Sequence, residues 1–215
     1  MKRKFGLFFM ALGVLALCCS AALLLHNQQE DRQAGAASAR VLPQMEQVIR
    51  ENQAETTAPT RPTSPSAPTE TPEQVVTLDM PREEIDGELY VGFLSMPTID
   101  RELPILASLE MPALQIAPCR YAGSTHTDDL VIGAHNYHWH FGPISQLLPG
   151  DPVYFTDMQG LTTVYEVTGT ETLMPTDLDK LLHSPADLTL FTCTYGGASR
   201  VTVRCQRCAS SKRPS

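Results

Sequence analysis

Residues 188–204, LTLFTCTYGGASRVTVR, hold the most informative pattern in the chain. The first part is rich in strand-forming residues and ends at Cys193, and a second strand-like run begins at Arg200. The loop between them, residues 195–199, contains two glycines. Short glycine-containing loops usually connect the two strands of a β-hairpin. The segment therefore predicts two neighbouring strands that bring a thiol and a guanidinium to one site.

A histidine upstream completes the set of groups needed for acyl transfer. An apolar strand is predicted at residues 129–133, and it leads directly to His135. A cysteine nucleophile works with a nearby acid or base, which is most often a histidine. A guanidinium such as that of Arg200 can stabilise the oxyanion that forms during the reaction. Cys193, His135 and Arg200 are therefore the predicted catalytic residues of a cysteine acyltransferase.

The same histidine segment has a second interpretation. His138 and His140 follow His135 at a spacing found in metal sites, and Asp151 or Asp157 can supply a further ligand. A histidine-cluster metallohydrolase is therefore an alternative. The apolar strand just before His135 favours a rigidly held imidazole there, whereas the other two histidines are predicted in a solvated or ligand-facing loop.

The folded part of the chain is predicted to be all-β. Strands are expected at 88–96, 103–106, 129–133, 152–157, 162–168, 171–174, 189–193 and 200–205, with turn signals at Gly160 and Gly169. Short helical turns are expected at 142–148 and at 177–182, the latter capped by Thr176, while residues 113–119 are ambiguous. Many short strands with little helix indicate a β-barrel or a β-sandwich.

Four blocks, in this order along the chain, resemble the sortases, the cysteine transpeptidases of Gram-positive cell surfaces. The likeness covers residues 78–208 and consists of LYVGFLSMP at 89–97 with LPI at 103–105, LVIGAHN at 130–136, FGPISQLLPGD at 141–151 and LFTC at 190–193. It implies an all-β fold, the family's eight-stranded sortase-type β-barrel with short helices. It also implies that Arg200 rather than Arg204 is the catalytic arginine, after a loop shortened by two residues, and that Thr192 contacts substrate.

The resemblance implies a thiol-dependent transpeptidase that cleaves an LPxTG-like sorting signal through a thioacyl intermediate. Its expected partners are surface proteins with a C-terminal sorting signal, and a peptidoglycan precursor or pilin amine as acceptor. No cofactor or metal is expected, and a calcium requirement stays open. The subclass also stays open, with class B-like and class D-like enzymes considered, although the short connection between Met174 and Leu188 argues against a long inserted helix. A catalytically idle sortase-like binding protein is an alternative.

The N-terminal region predicts a membrane anchor. Residues 1–4 carry three positive charges, and residues 5–25 contain no charged side chain. This uncharged run is long enough for a helix to cross a bilayer. The basic flank favours a cytoplasmic N-terminus and an extracellular catalytic domain on a single-pass protein of the cell membrane. A signal peptide cleaved near Ser20 is the alternative.

The remaining boundaries follow from composition. Residues 1–27 are predicted to be a cytoplasmic tip and transmembrane anchor, and residues 28–77 a stalk, with a short amphipathic helix or packing arm at 41–49 before a Pro/Thr-rich, disordered stretch. Residues 78–208 are predicted to be the catalytic domain, and residues 209–215 a tail. The net charge of −8 and the lack of a basic stripe argue against nucleic-acid binding.

The cysteines outside the anchor suggest one disulfide. Cys205 and Cys208 have C-x-x-C spacing, but no second pair exists for a structural zinc site. Outside the membrane disulfides are possible, so pairing of Cys205 with Cys208, or of either with Cys119, is expected. Cys193 is expected to stay unpaired as the nucleophile.

Overall fold

A single β-sheet dominates the computed structural model, which describes residues 2–57 and 80–209. The proline-rich stretch of the predicted stalk and the end of the predicted tail lie outside these residues. Within them, nine strands are present: β1 Glu83–Ile85, β2 Glu88–Met96, β3 Arg101–Leu106, β4 Cys119–Ala122, β5 Leu130–Ala134, β6 Pro152–Asp157, β7 Thr162–Leu173, β8 Leu188–Cys193 and β9 Arg200–Arg207.

Eight of these strands close into a barrel. Their order is β2-β3-β4-β5-β8-β9-β7-β6, and β6 pairs back with β2, so the sheet has no open edge there. The short strand β1 pairs with β2. The pairs β3–β4 and β5–β8 are parallel, and the other pairs are antiparallel. This confirms the predicted eight-stranded β-barrel.

Alternation along each strand fills the barrel with apolar side chains. In β8, Leu188 and Leu190 point inward, and in β9 Val203 does. They join one interior cluster with residues from the other strands, including Leu94, Ile105, Ile132, Phe155 and Val167. Because successive strand residues point to opposite faces, the residues between them lie on the outer face. The inward set therefore fixes which side chains of β8 and β9 are available for a surface site.

A long helix, α1 Lys2–Thr57, extends beyond the barrel, and its C-terminal half packs along the outside of the barrel. The segment predicted as a short pattern at 41–49 is part of this helix, and Val41, Met45 and Ile49 bury one face against the barrel. Across the contact lie Tyr90 and Met158, among others. The apolar stripe at three- and four-residue intervals explains why the helix continues here, because tertiary packing stabilises an amphipathic helix.

Several local predictions need correction. The two strands expected around Gly169 form the single strand β7, with a register shift at Val167/Gly169 that is typical of a β-bulge. The short helix α2 spans Leu178–Leu182, and Asp177 rather than Thr176 occupies its N-cap. Strands β1 and β4 were not predicted, because three or four residues are too few to show a clear alternation.

The expected disulfide is absent, since none of the six cysteines is in a disulfide. Cys119 lies under α1 and Cys205 points into the barrel, and both are fully buried. Cys208 comes three residues after Cys205, at the end of β9. Residues three apart in an extended chain point to opposite faces, so the C-x-x-C spacing keeps these two sulfurs apart.

Candidate active site

Three neighbouring strands bring the predicted catalytic residues to one level. Strands β5 and β8 are parallel, with Ala134 opposite Thr192, so the next residue of each chain, His135 and Cys193, follows at the same level. Strands β8 and β9 are antiparallel, and Cys193 is the direct partner of Arg200. The thiol therefore lies on the middle strand, with the imidazole on one side and the guanidinium on the other.

The alternation of side chains places all three groups on the outer face of the barrel. One row below them, Gly133, Phe191 and Thr202 are partners across the same three strands. Phe191 packs outside the barrel in a small cluster with Val131, Leu173 and Leu181. A residue two positions further along each strand points the same way, and for β8 this residue is Cys193. The three groups of the site thus lie side by side on the outer surface of the barrel, next to the apolar cluster around Phe191.

Among the cysteines on the barrel strands, the thiol of Cys193 is the accessible one. Its side chain is exposed, whereas Cys119 and Cys205 are completely buried. Burial raises the pKa of both buried thiols to about 12, so neither forms a thiolate at neutral pH. Among the cysteines on the barrel strands, Cys193 is therefore the one placed for reaction with a large substrate.

His135 is half-buried beside the N-terminal helix. Burial lowers its pKa below the ordinary value of 6.5, and the Glu30 carboxylate on α1 offsets part of this effect. Its ring lies 5.0 Å, centroid to centroid, from the ring of Tyr137. At neutral pH the neutral imidazole is therefore the dominant form, which is the form that accepts a proton.

The two candidate arginines differ in what they contact. Arg200 is only partly buried: its Nη1 donates to the Pro175 carbonyl at 3.3 Å, and its Cζ lies 5.6 Å from the centre of the Phe191 ring. Arg204 is 12% exposed and pairs with Glu171 at 2.8 Å. Its remaining donors bond groups of α2 and its surroundings, namely Lys180 O, Leu181 O, Ser184 Oγ and Thr189 Oγ1. The guanidinium at the level of Cys193 is that of Arg200.

Thr192 does not lie where a substrate contact was expected. Its side chain points into the barrel, is 3% exposed, and donates from Oγ1 to the Ala134 carbonyl at 2.9 Å. The strand alternation carried this signal, because Thr192 shares parity with the inward-pointing Leu188 and Leu190. Its hydrogen bond joins β8 to β5 immediately before the two catalytic candidates, so it holds His135 and Cys193 in register.

The histidines do not form a metal cluster. Among the residues that the structure describes, no three His, Cys, Asp or Glu side chains are placed to hold a metal ion. His138 is exposed and contacts Arg101, as a solvated loop residue does. His140, expected in the same loop, is instead fully buried, and burial lowers its pKa to about 4. The metallohydrolase alternative therefore has no geometric support.

Comparison with known proteins agrees with this arrangement. The family model of the sortase domain matches residues 94–208, more than half of the chain. The chain belongs to the sortase family. Sortase A of Listeria monocytogenes is 30% identical over 119 residues, which span 50% of this chain and 51% of that protein. The chain thus matches about half the length of this sortase.

Solved structures share the fold. Sortase C1 from Streptococcus agalactiae has a TM-score of 0.51 and 27% identity, covering 58% of this chain and 70% of that chain. A lid mutant of sortase A from Corynebacterium diphtheriae has a TM-score of 0.51 and 25% identity, covering 80% of this chain and 95% of that chain. These neighbours are named as classes A and C, and the class B-like or D-like assignment stays a prediction.

The structure of this sortase adds two features that sequence patterns did not reveal. Glu30 and Asp31 of α1 lie next to the histidine loop: Tyr137 Oη donates to Glu30 at 3.5 Å, and the Trp139 backbone N–H donates to Asp31 at 3.1 Å. No local pattern links residues about one hundred positions apart. The second feature is Gly133, which leaves room for the Phe191 ring beneath Arg200.

Replacing Gly133 with alanine should disturb this sortase site from below. The new Cβ would lie 2.5 Å from Cζ of Phe191 and 3.0 Å from Cδ1 of Leu109, so the ring must move. We expect a loss of about 1–3 kcal/mol in the free energy of unfolding, typical of overpacking, and slower acylation because Phe191 supports Arg200. Denaturant unfolding and single-turnover kinetics measure both. Gly169→Ala is the control, since its Cβ meets nothing within 4 Å; equal effects at both glycines would contradict this account.

Proposed function

We propose that this chain is a membrane-anchored cysteine transpeptidase. It cleaves an LPxTG-like sorting signal and joins the surface protein that carried the signal to an amine. His135, Cys193 and Arg200 lie side by side at the ends of three adjacent strands, and the Cys193 thiol is exposed. This observation carries the proposal. An exposed thiol flanked by an imidazole and a guanidinium suits acyl transfer. The substrates are surface proteins that carry a C-terminal sorting signal.

The first half-reaction forms a thioester. The Cys193 thiolate attacks the carbonyl carbon of the threonine in the signal, and the carbonyl oxygen becomes an oxyanion beside Arg200, which hydrogen-bonds it. The tetrahedral intermediate then collapses, and the C–N bond to the next residue breaks. His135, which took up the thiol proton when the thiolate formed, gives that proton to the departing amine. The C-terminal fragment leaves, and the threonine carbonyl stays on the sulfur.

The second half-reaction transfers the acyl group. An acceptor amine attacks the thioester carbon, and neutral His135 takes the proton that the amine loses. The C–S bond breaks, a new amide forms, and the Cys193 thiolate is regenerated. The acceptor is an amino group of a peptidoglycan precursor in an anchoring enzyme, or a pilin lysine in a polymerising one.

The N-terminal helix supports the membrane location. The helical segment Met10–Ala54 contains a window of mean hydropathy 1.8 that is not buried in the protein, so it is a candidate membrane span. The basic residues before it favour a cytoplasmic N-terminus and an extracellular barrel. The helix continues without a break from this apolar run into the part that packs on the barrel. An uncleaved anchor accounts for this continuity better than a signal peptide.

A peptide assay tests the proposal. The full chain in detergent is incubated with a peptide that contains LPxTG and with a soluble amine such as triglycine, and the products are separated and weighed by mass spectrometry. Cleavage between the threonine and the glycine, with the amine joined to the threonine, is the expected result. A folded protein that binds such peptides without cleaving them would instead support the idle binding protein.

Arg200 and Arg204 should separate catalysis from stability. Arg200→Gln removes a donor from the oxyanion, so acylation should slow by about 10²–10³-fold, with little change in the free energy of unfolding. Arg204→Gln leaves several acceptors without their partner, and the Glu171 carboxylate is 45% exposed and adds little. The free energy of unfolding should therefore fall by about 1–3 kcal/mol. Stopped-flow acylation rates and urea unfolding of both variants check this. This assignment would be contradicted if Arg204→Gln folded normally and failed to acylate.

The pH dependence of the second half-reaction should report His135. Because burial lowers the pKa of this imidazole, the neutral base persists below the ordinary histidine value, and resolution slows only at more acid pH. Removing the negative charge in Glu30→Gln should lower the pKa of His135 further and move the acid limb to lower pH. The preformed thioester is resolved by the same amine in both proteins, so the titration of the amine cancels. A shift to higher pH would contradict this assignment.

A further inference from the structure

The N-terminal helix has two parts that meet at a sharp boundary. Residues 10–29 are exposed on every side, and from Glu30 onward one face of the helix is covered by the barrel, beginning with Ala34, Ser38 and Val41. Only four residues, 26–29, separate Leu25, the last residue of the apolar run 5–25, from Glu30. At 1.5 Å per residue, the step from Leu25 to Glu30 is about 7.5 Å. The barrel thus begins about one headgroup layer beyond the apolar run.

The end of the barrel that lies next to this boundary is the end that carries the site. A groove of about 390 Å³ is lined by α1 residues between Leu24 and Asp31 on one side. On the other side it is lined by Asn136, Tyr137 and His138, which follow His135, and by Tyr195 from the loop after Cys193. Both catalytic loops therefore reach the helix where it leaves the apolar run.

The opposite end of the barrel lies far along the same helix. Asn52 donates to the Met158 carbonyl at 3.0 Å, and Gln53 donates to the Gly160 carbonyl at 3.4 Å. Gln53 is 28 residues beyond Leu25, which corresponds to about 42 Å along the helix axis. Because α1 packs on the barrel from Glu30 to Gln53, it sets the direction in which the barrel points.

Aromatic side chains stand at the end near the boundary. Tyr195 is 93% exposed, and Trp139, the one tryptophan of the chain, is 45% exposed. Trp139 packs against Gly35 and under the Arg101 guanidinium, whose Cζ lies 5.0 Å from the ring centre. Tyrosine and tryptophan favour the membrane–water interface, where an apolar ring and a polar edge are both satisfied.

We propose that α1 holds the barrel against the outer bilayer surface with the Cys193 rim turned toward the lipid headgroups. The occupant of this surface is the headgroup layer of the bilayer that α1 crosses. The loop 195–199 and the histidine loop contact it, and the barrel end with Gly160 points away. The site then works on polypeptide that emerges directly from the membrane. This inference rests on the membrane anchor of the proposed function, but not on its chemistry.

Tryptophan fluorescence in liposomes tests the orientation. The full chain is reconstituted in phosphatidylcholine vesicles with nitroxide-labelled headgroups, which quench indole emission only at short range. Three proteins carry one tryptophan each: the native chain, Trp139→Phe with Tyr195→Trp, and Trp139→Phe with Gln159→Trp. We expect most of the emission to be lost at position 195, less at 139, and none at 159. Equal quenching at the three positions, or the reverse order, would overturn the proposal.

A helix insertion provides the matched control. Seven alanine-rich residues placed after His26 add two turns, about 10.5 Å, and nearly preserve the helix face. Quenching at position 195 should then fall toward that at 159, whereas unchanged quenching would contradict a rigid helical connection. The measurement needs no turnover, so an inactive protein with the expected order refutes only the proposed chemistry. A chain that does not enter vesicles refutes the anchor and this orientation together.

Discussion

Cys193→Ala should reduce transpeptidation to the rate of the uncatalysed reaction. The thiolate is the atom that bonds to the substrate carbonyl, and no neighbouring side chain replaces it, since Cys119 and Cys205 are buried with pKa values raised to about 12. The side chain of Cys193 is exposed, so its truncation creates no cavity and the free energy of unfolding should stay near that of the wild type. Product formation from a sorting peptide, followed by chromatography, measures the loss.

Cys119→Ala is the matched control for this variant. It removes a thiol of the same size from the contact between α1 and the barrel, so we expect a loss of stability of about 1 kcal/mol and unchanged turnover. The assignment of Cys193 would be wrong if its alanine variant kept wild-type turnover, or if Cys119→Ala, still folded, lost it.

The second large effect is expected at His135. His135→Asn keeps a polar side chain of similar size but removes the group that carries a proton in both half-reactions. General acid–base catalysis contributes about 10²–10⁴-fold, so acylation and resolution should each slow by a factor in this range. Rapid-quench measurements of thioester formation and of its resolution by amine give the two rates separately.

His138→Asn serves as the comparison. His138 lies three residues further along the same loop and is exposed, with Arg101 as its contact. Both rates should therefore remain close to those of the wild type. The proposed role of His135 fails if the Asn substitution at 138 slows both steps and the one at 135 slows neither.

Local sequence patterns predicted an all-β fold and the three reactive groups, whereas the choice of an eight-stranded barrel came from the family resemblance. The hairpin of β8 and β9 follows from a short glycine-containing loop. This local hairpin makes Cys193 and Arg200 partners without any contribution from distant parts of the chain. The apolar strand before His135 predicts β5 in the same way. The parallel pairing of β5 with β8 joins segments distant in sequence, and here the family resemblance supplied what local patterns lack.

The errors arose where packing between distant segments decides the outcome. His140 was expected in a solvated loop, yet it is buried, and only the folded structure shows which side of that loop is covered. The family resemblance implied a substrate contact for Thr192, whereas strand alternation turns its side chain inward. The length of α1 was also missed, because its apolar stripe is sparse and gains stability mainly by packing on the barrel.

Intact-mass analysis of the acyl-enzyme tests the central claim most directly. The full chain is incubated with an LPxTG peptide without an acceptor amine, quenched with acid, weighed, and digested to locate the modification. We predict a mass increase equal to the peptide up to its threonine, carried by the fragment that contains Cys193 and removed by hydroxylamine. A folded protein that cleaves the peptide without this adduct, or that carries it on Cys208, would contradict the account.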